Sequence, residues 1–180
     1  MNADTLNVIT SNRGKYVEYQ EKLKDRYQKI EMKNISYPEI QADSLEEVVE
    51  FALDKLEKHS PLIIDDSGLF IDALNGFPGV YSAYVMNTLG CDGILSLLKD
   101  KKERNARFEC VIGYIHEEKE MFKGVSEGTI TREKRGTGGF GYDPIFEPEG
   151  FDRTYAEMNS EEKNRISHRG NAVEKLLESV

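Results

Sequence analysis

The chain is poor in cysteine, short of positive charge, and has no long apolar run. Only Cys91 and Cys110 occur in 180 residues, too few for a disulfide framework. Twenty-four Lys and Arg face 33 Asp and Glu, a formal net charge of −9. That balance argues against a general nucleic-acid or membrane-surface binder. A small polyanion still fits, through a locally positive pocket or a bridging divalent cation. No stretch nears the about 20 apolar residues that span a bilayer. Met1 to Thr5 lacks the basic and apolar regions of a signal peptide. We therefore expect a reduced, cytoplasmic protein. Repeats, linkers and low-complexity segments are also missing, so residues 1–180 read as one domain of two lobes, long enough for a sizeable core.

Hydrophobic periodicity suggests the architecture. Leu6 to Ile9 reads as a strand, and Tyr16, Tyr19, Leu23 and Tyr27 recur at helical spacing. Ile30 to Ser36 is extended up to the break at Pro38. Asp43 with Glu46 marks a helix start, followed by an apolar stripe from Leu45 to Leu56. Leu62-Ile63-Ile64 is a buried strand expected to end in Asp65-Asp66-Ser67-Gly68. This β-α-β-α-β order favours an α/β sheet. Beyond it, Ile94 to Leu98 suggests a short helix, and Ala106 to Ile115 alternates like a strand. Lys119–Lys123 and Ser126–Thr131 read as two further strands. A last helix starts near Asn159 and Glu162, with Gly170 as a possible break. The expected fold class is α/β: a mixed central sheet flanked by helices, a smaller antiparallel hairpin lobe, and a ligand cleft between the lobes.

Four segments carry chemistry. Thr10-Ser11-Asn12-Arg13-Gly14-Lys15 lies where a strand gives way to a helix. Free backbone N–H groups and the helix dipole favour an anion there, and Lys15 adds a point charge. The same residues also suit a plain helix start capped by Ser11 or Asn12. The loop is not a Walker A motif, because Ile9 and Tyr16 occupy positions that need Gly and Ser or Thr. Asp65 and Asp66 follow an apolar strand, where ligands of open sheets collect. Adjacent carboxylates suit a hard cation such as Mg²⁺, and they also suit a solvated turn. Glu39 could supply a further carboxylate. Gly136 to Asp143 reads G-T-G-G-F-G-Y-D, with four glycines in six residues. It meets the dinucleotide pattern G-x-G-x-x-G, but it neither follows an apolar strand nor opens a helix. It reads either as a loop presenting Phe140 to a planar ligand or as a glycine-rich turn. Along a helix Lys163 and Ser167 lie four apart and so share a face, with His168 and Arg169 as further donors near its end.

In order, these pieces resemble the inosine triphosphate pyrophosphatase family. The resemblance rests on five motifs spread over nearly the whole chain: Thr10 to Lys15, Asp65 to Leu69, Leu74 to Ser82, Gly138 to Pro144, and Ala156-Glu157-Met158 with Glu162-Lys163 and Ile166 to Gly170. It implies hydrolysis of non-standard purine nucleoside triphosphates such as ITP, dITP and XTP to monophosphate and pyrophosphate. It makes Thr10, Asn12 and Lys15 the phosphate holders, in a loop completed by Ser11, Arg13 and Gly14. Asp66 is implied as the proton acceptor and, with Glu39 and Asp65, as the seat of Mg²⁺. Ser67 becomes a substrate contact. Phe140 stacks on the base, in a loop with Gly141, Tyr142 and Asp143. Lys163, His168 and Arg169 complete the substrate-binding set. A homodimer is the implied assembly, with no nucleic-acid or membrane partner. The alternatives are a cleanup pyrophosphatase for other modified nucleotides and a nucleotide-sensing module without hydrolysis.

Overall fold

The computed structural model describes residues 5–38, 40–59 and 61–179. Seven strands form one mixed sheet. They are β1 (Thr5–Ile9), β2 (Lys29–Lys33), β3 (Leu62–Ile71), β4 (Pro78–Gly79), β5 (Asn105–Ile115), β6 (Lys119–Ile130) and β7 (Phe146–Pro148). The order is β2-β1-β3-β5-β6-β7, with β4 pairing β3 outside this path. β1 runs parallel to β2 and β3, while β3, β5, β6 and β7 are antiparallel neighbours. The antiparallel strands expected in a smaller lobe thus extend the same sheet.

Among the described residues six α-helices flank it: α1 (Arg13–Leu23), α2 (Leu45–Leu56), α3 (Ser82–Thr88), α4 (Gly90–Leu97), α5 (Ser160–Ile166) and α6 (His168–Ser179). α2 begins one residue later than Asp43 would have it. Ser44 is its N-cap and accepts from the Glu47 amide at 3.2 Å. Its apolar stripe buries Leu45, Val49, Ala52, Leu53 and Leu56 against Ile64 and Val111 of the sheet. On the opposite face, Tyr19 and Leu23 of α1 and Ala172, Val173 and Leu176 of α6 pack with Ile63, Cys110 and Ile112. That face carries a second apolar cluster further along, where Leu69, Ile71, Ala106 and Phe108 meet Val85, Ile94 and Tyr155.

Three expectations are corrected. β3 does not end at the acids but runs through them to Ile71, because Asp65 to Ile71 stay paired with Ile112 to Ala106 of β5. Lys119 to Ile130 is one strand, not two. The last helix breaks at Ser167, whose extended backbone (ψ 155°) separates α5 from α6, and not at Gly170. Lys163 and Ser167 therefore do not share a continuous helix, and His168 opens a new one. The expectation of a helix over Ile94–Leu98 misses α3 and the start of α4. The apolar residues of α3, Ala83 to Met86, are consecutive and show no helical spacing, and α4 opens on Gly90-Cys91-Asp92-Gly93.

Gly124 lies in the middle of β6 because α6 rests directly on it. A Cβ there would sit 2.0 Å from the His168 carbonyl oxygen and 2.4 Å from the Ala172 nitrogen. Backbone cannot yield as a side chain can. Gly124→Ala should therefore destabilise the protein by about 3 kcal/mol or more, the upper end for overpacking. Urea unfolding of the two proteins measures this, and a change below about 1 kcal/mol would contradict the fit.

Candidate functional site

The parallel pairing of β1 with β3 stops at Val8–Ile63, yet β3 continues. The edge of β3 is open from Ile64 to Gly68, before β4 pairs with Leu69 and Phe70, and the turn after β1 sits beside this gap. This opening is a cleft of about 700 Å³, bordered by Thr10 to Asn12, Lys15, Asp65 to Ser67, Phe140 and His168, among others. Successive strand residues point to opposite faces. Asp65 and Asp66 therefore flank the open edge from its two sides, and both line the cleft.

At one end stands the start of α1. Asn12 is the N-cap, and its side-chain oxygen accepts from the amides of Gly14 (2.8 Å) and Lys15 (3.2 Å). Thr10 Oγ1 accepts from the Asn12 amide at 3.0 Å. Lys15 reaches across to β3, with Nζ 3.0 Å from Asp65 Oδ2. Both readings of this segment hold together, since a capped helix N-terminus with a lysine on its first turn is also a place for an anion. Arg13 is exposed and does not border the cleft. Gly14 serves another purpose. The Phe140 ring lies so close that a Cβ at residue 14 would be 2.7 Å from its Cδ1.

Behind the cleft wall runs a buried chain of alternating charges. Asp65 Oδ2 accepts from Lys15, from Ser67 Oγ at 3.0 Å, and from Nε and Nη2 of Arg169, each at 3.2 Å. Arg169 also pairs with Glu18, and Nη2 donates to Ser67 Oγ at 3.0 Å. Glu18 accepts from Lys163 Nζ at 3.0 Å, and the same ammonium donates to Asp143 Oδ2 at 2.7 Å. Asp143 Oδ2 then accepts from the Phe140 amide at 2.8 Å, which fixes the glycine loop. Burial alone would push the carboxyls of Asp65 and Glu18 up. The adjacent cations overcome it, Lys15 and Arg169 for Asp65, and Arg169 and Lys163 for Glu18, so both are held below the usual range. For Asp143 burial prevails over Lys163, and its carboxyl is raised. The ion pairs employ Asp65 differently from the cation ligand expected of it, since its Oδ2 is taken by the protein's own donors.

At the other end lies Phe140, half-buried, with Lys163 Nζ 4.4 Å and Arg169 Cζ 5.8 Å from the ring centroid. Gly139 and Gly141 have φ of 69° and 62°, a region that favours glycine, and they turn the loop around the ring. Tyr142 is buried and donates from its hydroxyl to the Ser82 carbonyl at 2.9 Å, tying the loop to α3. His168 stacks on Phe108, with centroids 4.6 Å apart and planes at 13°. Its Nδ1 is buried with no hydrogen-bond partner among the described residues. Burial, with Arg169 and Lys163 nearby, holds the imidazole well below its ordinary pKa, so it is neutral at pH 7.

Of the sequence candidates, Thr10, Ser11, Asn12, Lys15, Asp65, Asp66, Ser67, Phe140, Gly141, Tyr142, Asp143, Lys163, His168 and Arg169 all border this one cleft. Glu39 lies outside the described residues. Sequence reasoning missed Glu18, Phe108, and the Ser82–Asn87 side of α3. Glu18 carries one weak signal: it falls three residues after Lys15, hence on the same helix face.

A family model described as the Ham1 family matches residues 6–179. This chain belongs to the Ham1 family. The chain is 54% identical over 167 residues to the dITP/XTP pyrophosphatase of Thermococcus kodakarensis, covering 92% of this chain and 91% of that protein. The protein of the same name from Pyrococcus horikoshii is 51% identical, with 94% and 93% covered. Among solved structures, the Ham1 protein of Staphylococcus aureus superposes with a TM-score of 0.81 at 31% identity, covering 97% of this chain and 98% of that one. That of Coxiella burnetii gives 0.79 at 35%, covering 99% and 100%.

A lowered histidine pKa has a definite sign. Below about pH 6.5 the unfolded chain takes a proton that folded His168 refuses, so this contribution to stability is lost as pH falls. The His168 ring resonances should keep their neutral-form shifts from about pH 8 to about pH 5.5 in an NMR titration. An ordinary midpoint near 6.5 would show that the ring is not sealed.

Proposed function

We propose that this protein hydrolyses non-canonical purine nucleoside triphosphates, ITP, dITP and XTP, to the monophosphate and pyrophosphate. The observation that carries the reading is one cleft with an anion end and a ring end. The N-terminus of α1 with Lys15 serves a phosphate tail, and Phe140 with Lys163, His168 and Arg169 serves a base. The Ham1 membership and the relatives named dITP/XTP pyrophosphatase support the same substrate class.

Asp66 is half-buried on the cleft wall, and Thr10 and Ser11 border the same space. Among the described residues no cluster of three or more His, Cys, Asp or Glu could hold a metal by itself. A triphosphate brings its own oxygens, and Mg²⁺ commonly takes only one or two protein carboxylates beside them. An oxygen-only donor set around Asp66 fits that pattern, with Glu39 as the second carboxylate of the reading. Such a cation would supply charge neutralisation at the phosphates. Asp66 accepts the proton of a water that attacks the α-phosphorus. The bond from that phosphorus to its bridging oxygen breaks, and pyrophosphate leaves. Thr10, Asn12 and Lys15 hold the tail in line, so most of the acceleration is positioning.

Phe140 stacks on any base, at about 1–3 kcal/mol. Selectivity comes from the donors. Lys163 and Arg169 can donate and never accept, so they suit the 6-oxo group of hypoxanthine and xanthine and leave the 6-amino group of adenine unpaired. A homodimer belongs to the same reading. Tyr81, Tyr84 and Leu89, exposed on and beside α3, support it as apolar surface for a second copy. So does a cytoplasmic location, where nucleotide pools turn over. Among the described residues no helix is long and apolar enough to cross a membrane.

With Mg²⁺ the purified protein should release pyrophosphate from ITP and XTP, and act on ATP about 10- to 100-fold more slowly for each mispaired donor. Orthophosphate as the product would place the attack at the wrong phosphorus. Tight ITP binding without turnover would leave the protein a sensor. Asp66→Asn should lower kcat by about 10²–10⁴-fold with the fold retained by circular dichroism. Unchanged turnover would remove Asp66 from the chemistry.

A further inference from the structure

Asp65 stands apart from its neighbour. Its side chain is 2% exposed, and a single oxygen, Oδ2, gathers Lys15, Ser67, two nitrogens of Arg169 and, at 3.6 Å, the Cys110 thiol. Lys15 comes from the first turn of α1 and serves the phosphate end. Arg169 comes from α6, 104 residues from Asp65 in sequence, and serves the base end. Two cations that would otherwise repel each other are therefore held by one anion, within hydrogen-bond reach of both.

We propose that Asp65 is a positioning residue for the hydrolysis, and not a metal ligand: it sets the separation between the phosphate-end lysine and the base-end arginine, so that one nucleotide meets both. This inference rests on the nucleotide reading of the cleft. Its physical content is geometric. Arg169 uses two edges of its guanidinium, one on Asp65 and Ser67 and one on Glu18, so losing either carboxylate removes a bond that sets its plane. Among the described residues Lys15 is held by Asp65 alone, through its carboxylate at 3.0 Å and its backbone carbonyl at 3.3 Å. Without the carboxylate Lys15 keeps the Asp65 carbonyl and Arg169 keeps Glu18 and Ser67, but nothing ties the one cation to the other.

Asp65→Asn keeps the size and removes the charge. Because an anion beside Lys15 is lost, binding of phosphate should not weaken. Calorimetry with inorganic tripolyphosphate, a probe without a base, should give an equal or tighter Kd. Misplacement should appear in kcat for ITP, lowered about 100-fold while KM holds or falls. The Mg²⁺ concentration for half-maximal rate should stay unchanged, and Asp65→Glu should recover part of the rate. The inference is overturned if kcat is unaffected, or if it returns to the wild-type value on raising Mg²⁺, which is the behaviour of a lost metal ligand.

Should Asp65→Asn not fold, Arg169→Lys probes the same tie from the other end. A lysine lacks the planar fork, so Asp65 is less neutralised and competes for Lys15. Tripolyphosphate should then bind at least about fivefold more weakly, although residue 169 serves the base. Unchanged affinity in a folded Arg169→Lys protein also overturns the inference. Pyrophosphate release by the wild-type protein tests the activity reading separately. If no nucleotide is turned over, that reading fails, while the tripolyphosphate arm still reports on the tie.

Discussion

The constraint on which the site depends is the burial of alternating charges between two apolar clusters. On one sheet face Ile63 and Cys110 belong to the cluster under α1 and α6, and Leu69 and Phe108 to the cluster under α3 and α4. Asp65 and Ser67 fall between them on the same strand. Charges taken out of water are costly unless paired and fully hydrogen-bonded. Here Arg169 is met by Asp65 and Glu18, and Lys163 by Glu18 and Asp143. Removing one partner of such a set leaves a buried charge uncompensated, at about 3–5 kcal/mol. The network therefore contributes definition more than net stability. It can exist only when α1, β3, the glycine loop, α5 and α6 are all docked.

That dependence explains how local elements become one site. Asn12 caps α1 and sets the direction in which Lys15 and Glu18 project. The break at Ser167 turns the chain so that Lys163 on α5 and Arg169 on α6 approach Glu18 from two sides. Gly124 lets α6 settle on β6, and the first turn of α6 carries His168 and Arg169 to the cleft. None of these residues need touch a substrate to matter to it.

Much of this was legible in the sequence. The α2 stripe, β1, β5 and the ordered motifs pointed to a mixed sheet and to residues that do share one cleft. What stayed hidden was long-range. β3 was expected to stop at Asp65 because charge usually ends a buried strand, and only the Lys15 and Arg169 pairs make the continuation tolerable. Glu18 was not singled out, because its burial follows from partners 145 and 151 residues away. Ser167 gave no sign of a helix break, while Gly170, a weaker helix former, did. Phe108 lay unremarked within the alternating stretch from Ala106 to Ile115, and its stacking with His168 is a product of tertiary packing that no local pattern encodes.

The charges at the site also bear on how a ligand arrives. Lys15, Lys163 and Arg169 are matched by Glu18, Asp65 and Asp143, so the wall of the cleft is close to neutral taken as a whole. The rest of the molecule carries the excess of acid, with a formal net charge of −9. A nucleotide tail thus meets repulsion at a distance and attraction only within a few ångströms of Lys15 and the start of α1. Encounter is slowed by the field of the whole protein, and added salt, which shortens that field to about 8–10 Å, makes the approach easier.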